Sequence, residues 1–244
     1  MHLAAGGATD PGPRHINQDA FFIDLDLGLL LIADGMGGHK AGEVASRMAV
    51  DAVVDFIRTT ATGRDITWPF PYDPERSRGV NRLDAALRLA NRRVFDAGEQ
   101  SREHASMGTT LVALLVQNEN VVVAHVGDSR AYVLRQGELL QLTRDHTLLN
   151  EVGEFAGPHH PLRHVLTSGI GMGSDVVPAI AEQGLFAGER WLMCTDGVHG
   201  FLDVRALRGV LDAASAQNAA DEAVRVALAA GSSDNVTAVV MNVD

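Results

Sequence analysis

Cysteine is almost missing from this chain. A single one, Cys194, stands in 244 residues, so neither an internal disulfide framework nor a cysteine-based zinc site is available. It fits a reducing, cytoplasmic setting. Positive charge is also short: the net charge is −11, which argues against a generic nucleic-acid or anionic-membrane surface. No apolar run reaches the ~18 residues of a membrane span. Residues 1–7 carry no basic segment followed by a long apolar core, so no secretory leader is expected. Neither an internal repeat nor a linker-like stretch is visible, and residues 1–244 are expected to form one domain.

What is present is an ordinary globular composition, 46% apolar and 21% charged, on a chain long enough to bury a sizeable core. The stretch from Leu29 to Ile32 is an unbroken apolar run. It reads as a buried strand and ends in Ala33-Asp34-Gly35-Met36-Gly37-Gly38-His39. The acid stands where the strand emerges, and the glycines permit close backbone approach. Such a junction suits a bound cation or phosphate, or it is a plain strand-to-helix turn with Asp34 as a turn residue. Residues 21–23 and 29–33 read as a hairpin turning near Asp26-Leu27-Gly28, which brings Asp19 back towards Asp34.

Further along, helices are predicted at 43–58 and 81–100 from their apolar spacing. Strands follow at 108–116, 121–126, 131–134 and 139–142, then an irregular stretch at 143–175. Strands at 176–182 and 189–195, helices at 203–213 and 217–230, and a closing strand at 236–243 complete the reading. Residues 1–13 are expected to be a short strand or loose arm, and 65–73, with Trp68, Phe70 and Tyr72, an ordered connector. Most neighbouring strands can pair as hairpins, and antiparallel sheets need an apolar cover. The economical arrangement is α+β: two mostly antiparallel β-sheets packed together, each flanked by helices, in a four-layer α/β/β/α sandwich.

Asp34, Asp128, Asp196 and Asp234 share one context. Each adjoins an apolar strand and has Gly, Ser or Asn beside it, and Asp19 occupies a similar junction. Clustered carboxylates repel and need cations to be stable. An all-oxygen set without cysteine or a histidine pair at ligand spacing favours Mg²⁺ or Mn²⁺ over zinc. Two such ions can clamp a phosphoryl oxygen. Arg14 offers a planar fork for phosphate.

The ordered set Arg14-x-x-Asn17-Gln18-Asp19, Asp34-Gly35-Met36-Gly37-Gly38-His39, Gly127-Asp128-Ser129-Arg130, Thr195-Asp196-Gly197 and Asp234-Asn235-x-Thr237 resembles the metal-dependent protein phosphatases. This is the type 2C serine/threonine phosphatase family in its compact bacterial form. The resemblance covers about residues 8–243, and it is the ordered set that makes it specific. It implies a binuclear Mn²⁺ or Mg²⁺ centre between the sheets, with Asp34 bridging both ions. The Gly35 carbonyl would bind one ion, and Asp196 and Asp234 the other. It further implies a third, weaker site at Asp128 and Asp196, support from Asp19 and Gln18, and Arg14 on the substrate phosphate. The reaction implied is attack of metal-activated water on phosphoserine or phosphothreonine of protein substrates, among them a Ser/Thr kinase or its targets, by a cytoplasmic monomer.

Departures from the family pattern are expected to matter. Gln18 stands where many eukaryotic members carry a metal-binding Glu. Met36 stands where they carry a histidine, which leaves His39 as the candidate general acid; its alternative is a helix-entry residue. The stretch between His146 and Gly171 is the family's flap region, shorter here and lacking its acidic helical part. His159 and His160 read as turn residues. Gly169-x-Gly171-x-Gly173 resembles part of a dinucleotide fingerprint but lies between no core strand and helix, and carries no such reading. A phosphoesterase for small phosphates and a catalytically silent binding module are the competing functions; retention of every metal-ligating acid weighs against the second.

Overall fold

The computed structural model describes residues 1–38, 41–61, 67–152, 162 and 165–244. His39, His159 and His160, and part of the connector at 65–73, lie outside the described residues. Along the chain run β1 (Leu3–Asp10), β2 (Asp19–Asp24), β3 (Leu29–Met36), α1 (Ala41–Ala61), α2 (Arg78–Gln100), β4 (Gly108–Thr109), β5 (Leu111–Gln117), β6 (Asn120–Val126), β7 (Arg130–Arg135) and β8 (Glu138–Gln141). Then come α3 (Leu148–Val152), β9 (Ala179–Gly184), β10 (Arg190–Cys194), α4 (Asp196–His199), α5 (Val204–Val210), α6 (Ala216–Ala229) and β11 (Val236–Val243).

The strands form two antiparallel sheets, ordered β1-β11-β10-β7-β8 and β2-β3-β5-β6-β9, with β4 added beside β3. Successive side chains on a strand point to opposite faces, and β3 uses both. Leu29 and Leu31 pack under α1 and α2 with Leu83, Leu87 and Val94. Leu30 and Ile32 enter the layer between the sheets with Trp191, Met193 and Met241. β11 divides likewise: Val236, Ala238 and Val240 meet α6, whereas Val239, Met241 and Val243 face the other sheet. Each fully buried Leu or Ile stabilises by roughly 1.5–3 kcal/mol, so three apolar layers hold four layers of backbone together. This is the α/β/β/α sandwich expected from the sequence. Among the described residues no helix is long and apolar enough to cross a membrane.

The differences from the expected elements have local causes. The strand expected at 108–116 breaks at Thr110, because Thr110 is drawn to Asp34: its N–H donates to the Asp34 carbonyl at 2.9 Å, and its Oγ1 accepts from the Asp34 N–H at 3.0 Å. β9 begins at Ala179 rather than Val176, since Pro178 lacks the N–H a ladder needs. The stretch read as irregular contains α3, and the tip at 196–200 is a helical turn, α4. Both are too short to show helical periodicity. Residues 3–10 are not a loose arm; β1 pairs with the whole of β11.

Candidate active site

The site lies at one end of the two sheets. Asp19 and Asp34 are paired residues of β2 and β3, as the hairpin reading required. Asp128 follows β6, Asp196 opens α4 after β10, and Asp234 precedes β11. Four separate chain segments thus deliver Asp34, Asp128, Asp196 and Asp234 to a single cleft of about 320 Å³, which Arg14, Gln18, Gly35 and Thr110 also line.

Asp34 is held by its backbone. Besides the two bonds to Thr110, its carbonyl accepts from Thr109 Oγ1 at 2.8 Å, and Thr110 Oγ1 is bonded to Ser129 Oγ at 2.7 Å. Its carboxylate is therefore left for the cleft. The next residue cannot carry a side chain: a Cβ on Gly35 would stand 2.1 Å from the Gly42 carbonyl oxygen and 2.6 Å from that of Gln18. That close approach seats the start of α1 against β3.

Asp19 is buried. Its Oδ2 accepts from Thr195 Oγ1 at 3.0 Å and Thr237 Oγ1 at 2.6 Å, while its Oδ1 is buried without a hydrogen-bond partner. Thr237 Oγ1 is in turn 2.7 Å from Thr9 Oγ1, which accepts from Asn17 Nδ2 at 2.8 Å. Asn235 pins the loop before β2: its Nδ2 donates to the carbonyls of Pro11 and Ile16, and its Oδ1 accepts from the Gln18 N–H. Thr195, Thr237, Asn17 and Asn235 all lie in the motifs that carry the family resemblance, yet the roles assigned there from sequence went to the acids and to Arg14, Gln18, Gly35 and His39. Their signal was a polar residue at the end of an apolar strand.

Asp128 sits on a braced loop. Its carbonyl is 3.0 Å from His199 Nε2. The neighbouring Gly127 exchanges two bonds with His146, one to the backbone N–H and one to Nδ1. Behind it Arg130 grips Asp145 through both forks at 2.9 and 2.7 Å, and His125 stacks on His146 with ring centroids 4.8 Å apart. Arg14 reaches the cleft mouth, where Nη2 pairs with Asp234 Oδ2 at 2.8 Å and Nε donates to the Ser233 carbonyl at 3.0 Å.

The electrostatics are those of crowded negative charge. Burial pushes Asp19 up to about 7 against the opposing hydrogen bonds from Thr237 and Thr195, with repulsion from Asp196 and Asp234 adding to the rise. Burial likewise brings Asp128 to about 7, helped by Asp196 and Asp145. Asp34 is raised well above the ordinary carboxylate value by burial first, then by Asp19, Asp196, Asp128 and Asp234. Among the described residues no three acidic, histidine or cysteine side chains stand ready-made around an ion. The donor set nonetheless fits a hard divalent cation. It is all oxygen, its charges repel, and one buried carboxylate oxygen of Asp19 lacks a partner.

These shifts predict a pH dependence for the metal-free protein. Between pH ~4 and ~7 the folded state binds more protons than the unfolded one, whose carboxylates titrate near 3.8, so stability falls as pH rises. We expect the melting temperature in chelator to drop by roughly 5–10 °C from pH 5 to pH 8. A flat or rising profile in a thermal scan would contradict the crowding described here.

Two antiparallel sheets with acids from four chain segments meeting at one end define an α+β sandwich that carries an all-oxygen cluster suited to divalent cations. Comparison with known proteins makes the assignment specific. The protein phosphatase 2C family model matches residues 13–230. The serine/threonine protein phosphatase PstP of Mycobacterium tuberculosis is 33% identical over 236 residues, covering 94% of this chain and 43% of PstP; the chain thus spans under half of that relative's length. The crystal structure of PstP superposes with a TM-score of 0.86 at 31% identity, covering 99% of both chains. That of the PstP catalytic domain in complex with two manganese ions gives 0.83 at 32% identity, again over 99% of both. The chain belongs to the protein phosphatase 2C family.

Proposed function

We infer that residues 1–244 form one catalytic domain, a metal-dependent serine/threonine protein phosphatase. The observation that carries this reading is the convergence of Asp34, Asp128, Asp196 and Asp234 on one cleft with an arginine at its mouth. Asp34, the Gly35 carbonyl, Asp196 and Asp234 would hold two Mn²⁺ or Mg²⁺ ions, with Asp128 and Asp196 available to a third. When bound, such ions supply positive charge for the phosphoryl group and bring the pKa of water towards ~7.

The protein's own groups do the rest. Thr195 and Thr237 fix one oxygen of Asp19, so its other oxygen keeps a defined direction behind the ligands. Gln18 lines the cleft beside Gly35. Arg14 presents a planar donor fork, and exchange of its partner from Asp234 to phosphate leaves that carboxylate for a cation. His39 is the residue we assign to protonate the leaving serine or threonine oxygen, since Met36 has no proton to give.

The substrates we assign are phosphoserine and phosphothreonine proteins, including a Ser/Thr kinase or its targets, and the setting is cytoplasmic, with the enzyme a monomer. Replacing Arg14 with Ala should raise KM for a phosphothreonine peptide roughly tenfold, with a smaller fall in kcat. Steady-state kinetics check this; an unchanged KM would remove Arg14 from phosphate recognition. Release of phosphate from such peptides, dependent on added Mn²⁺, tests the reading as a whole.

A further inference from the structure

Beside the acidic cleft lies a second recess of about 320 Å³, walled by Met36, Phe95, Met107 and Met172, with the exposed Glu99 and Ser106 at its rim. Met36 belongs to both: it is the last residue of β3, two positions after Asp34, and it lines the cleft as well. Three methionines and a phenylalanine give the recess apolar walls that the acidic cleft lacks, though its rim carries Glu99, and Met172 is 49% exposed at its edge.

Its walls are built firmly. The loop carrying Met172 is tied to β4 by reciprocal backbone bonds between Thr109 and Ile170 at 3.0 and 2.8 Å, and Thr109 itself bonds the Asp34 carbonyl. From the other side the buried Asn91 of α2 accepts from the Gly171 N–H at 2.7 Å and donates to the Gly173 carbonyl at 3.0 Å. The glycine run at 169–173, which fits no dinucleotide site, has a role here. A Cβ on Gly169 would stand 2.6 Å from Met172 Sδ and 3.0 Å from Met36 Cε, and one on Gly171 would strike Val94 at 2.4 Å with φ at +86°. Gly169 leaves room for the ends of Met36 and Met172, and Gly171 leaves room for Val94. Methionine is unbranched and polarizable, and it shapes itself to varied apolar partners.

We propose that this recess is a substrate subsite that takes one large apolar side chain, such as Leu, Met or Phe, of the phosphoprotein segment flanking the phosphorylated residue. The proposal rests on the phosphatase reading. A chain whose phosphate lies among Asp34, Arg14 and Asp234 must leave the cleft, and Met36 joins the cleft to this recess. A flexible segment gains by burying an apolar side chain against Met36, Phe95 and Met172, whereas an acidic one would be repelled by Glu99 at the rim.

The test is a set of phosphothreonine peptides in which one Leu is walked through the flanking positions of a Ser-rich background, with p-nitrophenyl phosphate as a substrate that has no flanks. We expect one position at which Leu raises kcat/KM about tenfold over Ser. The preference should persist in Met172→Leu and vanish in Met172→Asp, while turnover of p-nitrophenyl phosphate stays unchanged in both. An active wild type indifferent to Leu at every position overturns the subsite alone, as does a preference that survives Met172→Asp. A wild type inert on all peptides with Mn²⁺ present overturns the phosphatase reading and the subsite with it.

Discussion

Asp34→Asn should lower phosphate release from a phosphothreonine peptide by roughly three orders of magnitude. The substitution keeps size and leaves the backbone bonds to Thr109 and Thr110 in place, so the strand end need not move. What it removes is one negative charge at the point where four others press on it. Two opposite effects on stability follow. The metal-free variant should melt higher than wild type at pH 8, because a repelled, desolvated carboxylate has been replaced by a neutral amide. The additional stabilisation that Mn²⁺ gives wild type by binding the folded state should largely disappear. Thermal scans with and without Mn²⁺ separate these. A variant that melts lower without metal would mean that Asp34 is a structural turn residue, the reading that its isolated sequence context left open.

Gly35→Ala should be the most damaging single-methyl change at the site. The added Cβ meets backbone rather than side chains, at 2.1 Å from the Gly42 oxygen and 2.6 Å from the Gln18 oxygen. Neither can swing aside as a rotamer can. Relief requires α1 to shift away from β3, which disturbs the packing of Ala41 and Ala45 under the sheet. We expect a loss of about 3 kcal/mol or more, read as a fall in melting temperature of roughly 6–12 °C, together with loss of activity. Gly38→Ala is the control: nothing lies within 4 Å of a Cβ there, and its effect should stay within ~0.5 kcal/mol. Equal effects at the two glycines would show that chain flexibility, not close approach, is what both provide.

Much of this was legible because the apolar signal was strong. An unbroken run such as 29–32 has to be buried on both faces, and β3 is: its alternate residues enter two different cores. The hairpin turn at 26–28 fixed the register that sets Asp19 opposite Asp34. What escaped was structure made by distant partners. The break at Thr110 exists because Asp34, 76 residues away, bonds its side chain. The threonines that hold Asp19 come from 176 and 218 residues further along the chain. Nothing in local propensity registers such bonds. The α4 turn has four residues, fewer than are needed to show a repeat of 3.6. The brace behind Asp128, from His199 to the Arg130–Asp145 pair, was invisible for the same reason: its members are ordinary polar residues until the sheets bring them together.

The central claim is that the carboxylate cleft works as a metal-dependent phosphatase centre. Its most direct test is phosphate release from a phosphothreonine peptide by chelator-treated protein titrated with Mn²⁺, run beside Asp234→Ala. Wild type should show no release in chelator and a saturable rise as Mn²⁺ is added, and Asp234→Ala should need far more Mn²⁺ or stay inactive. Release that persists after exhaustive chelation, or a Mn²⁺ response untouched by Asp234→Ala, would contradict it.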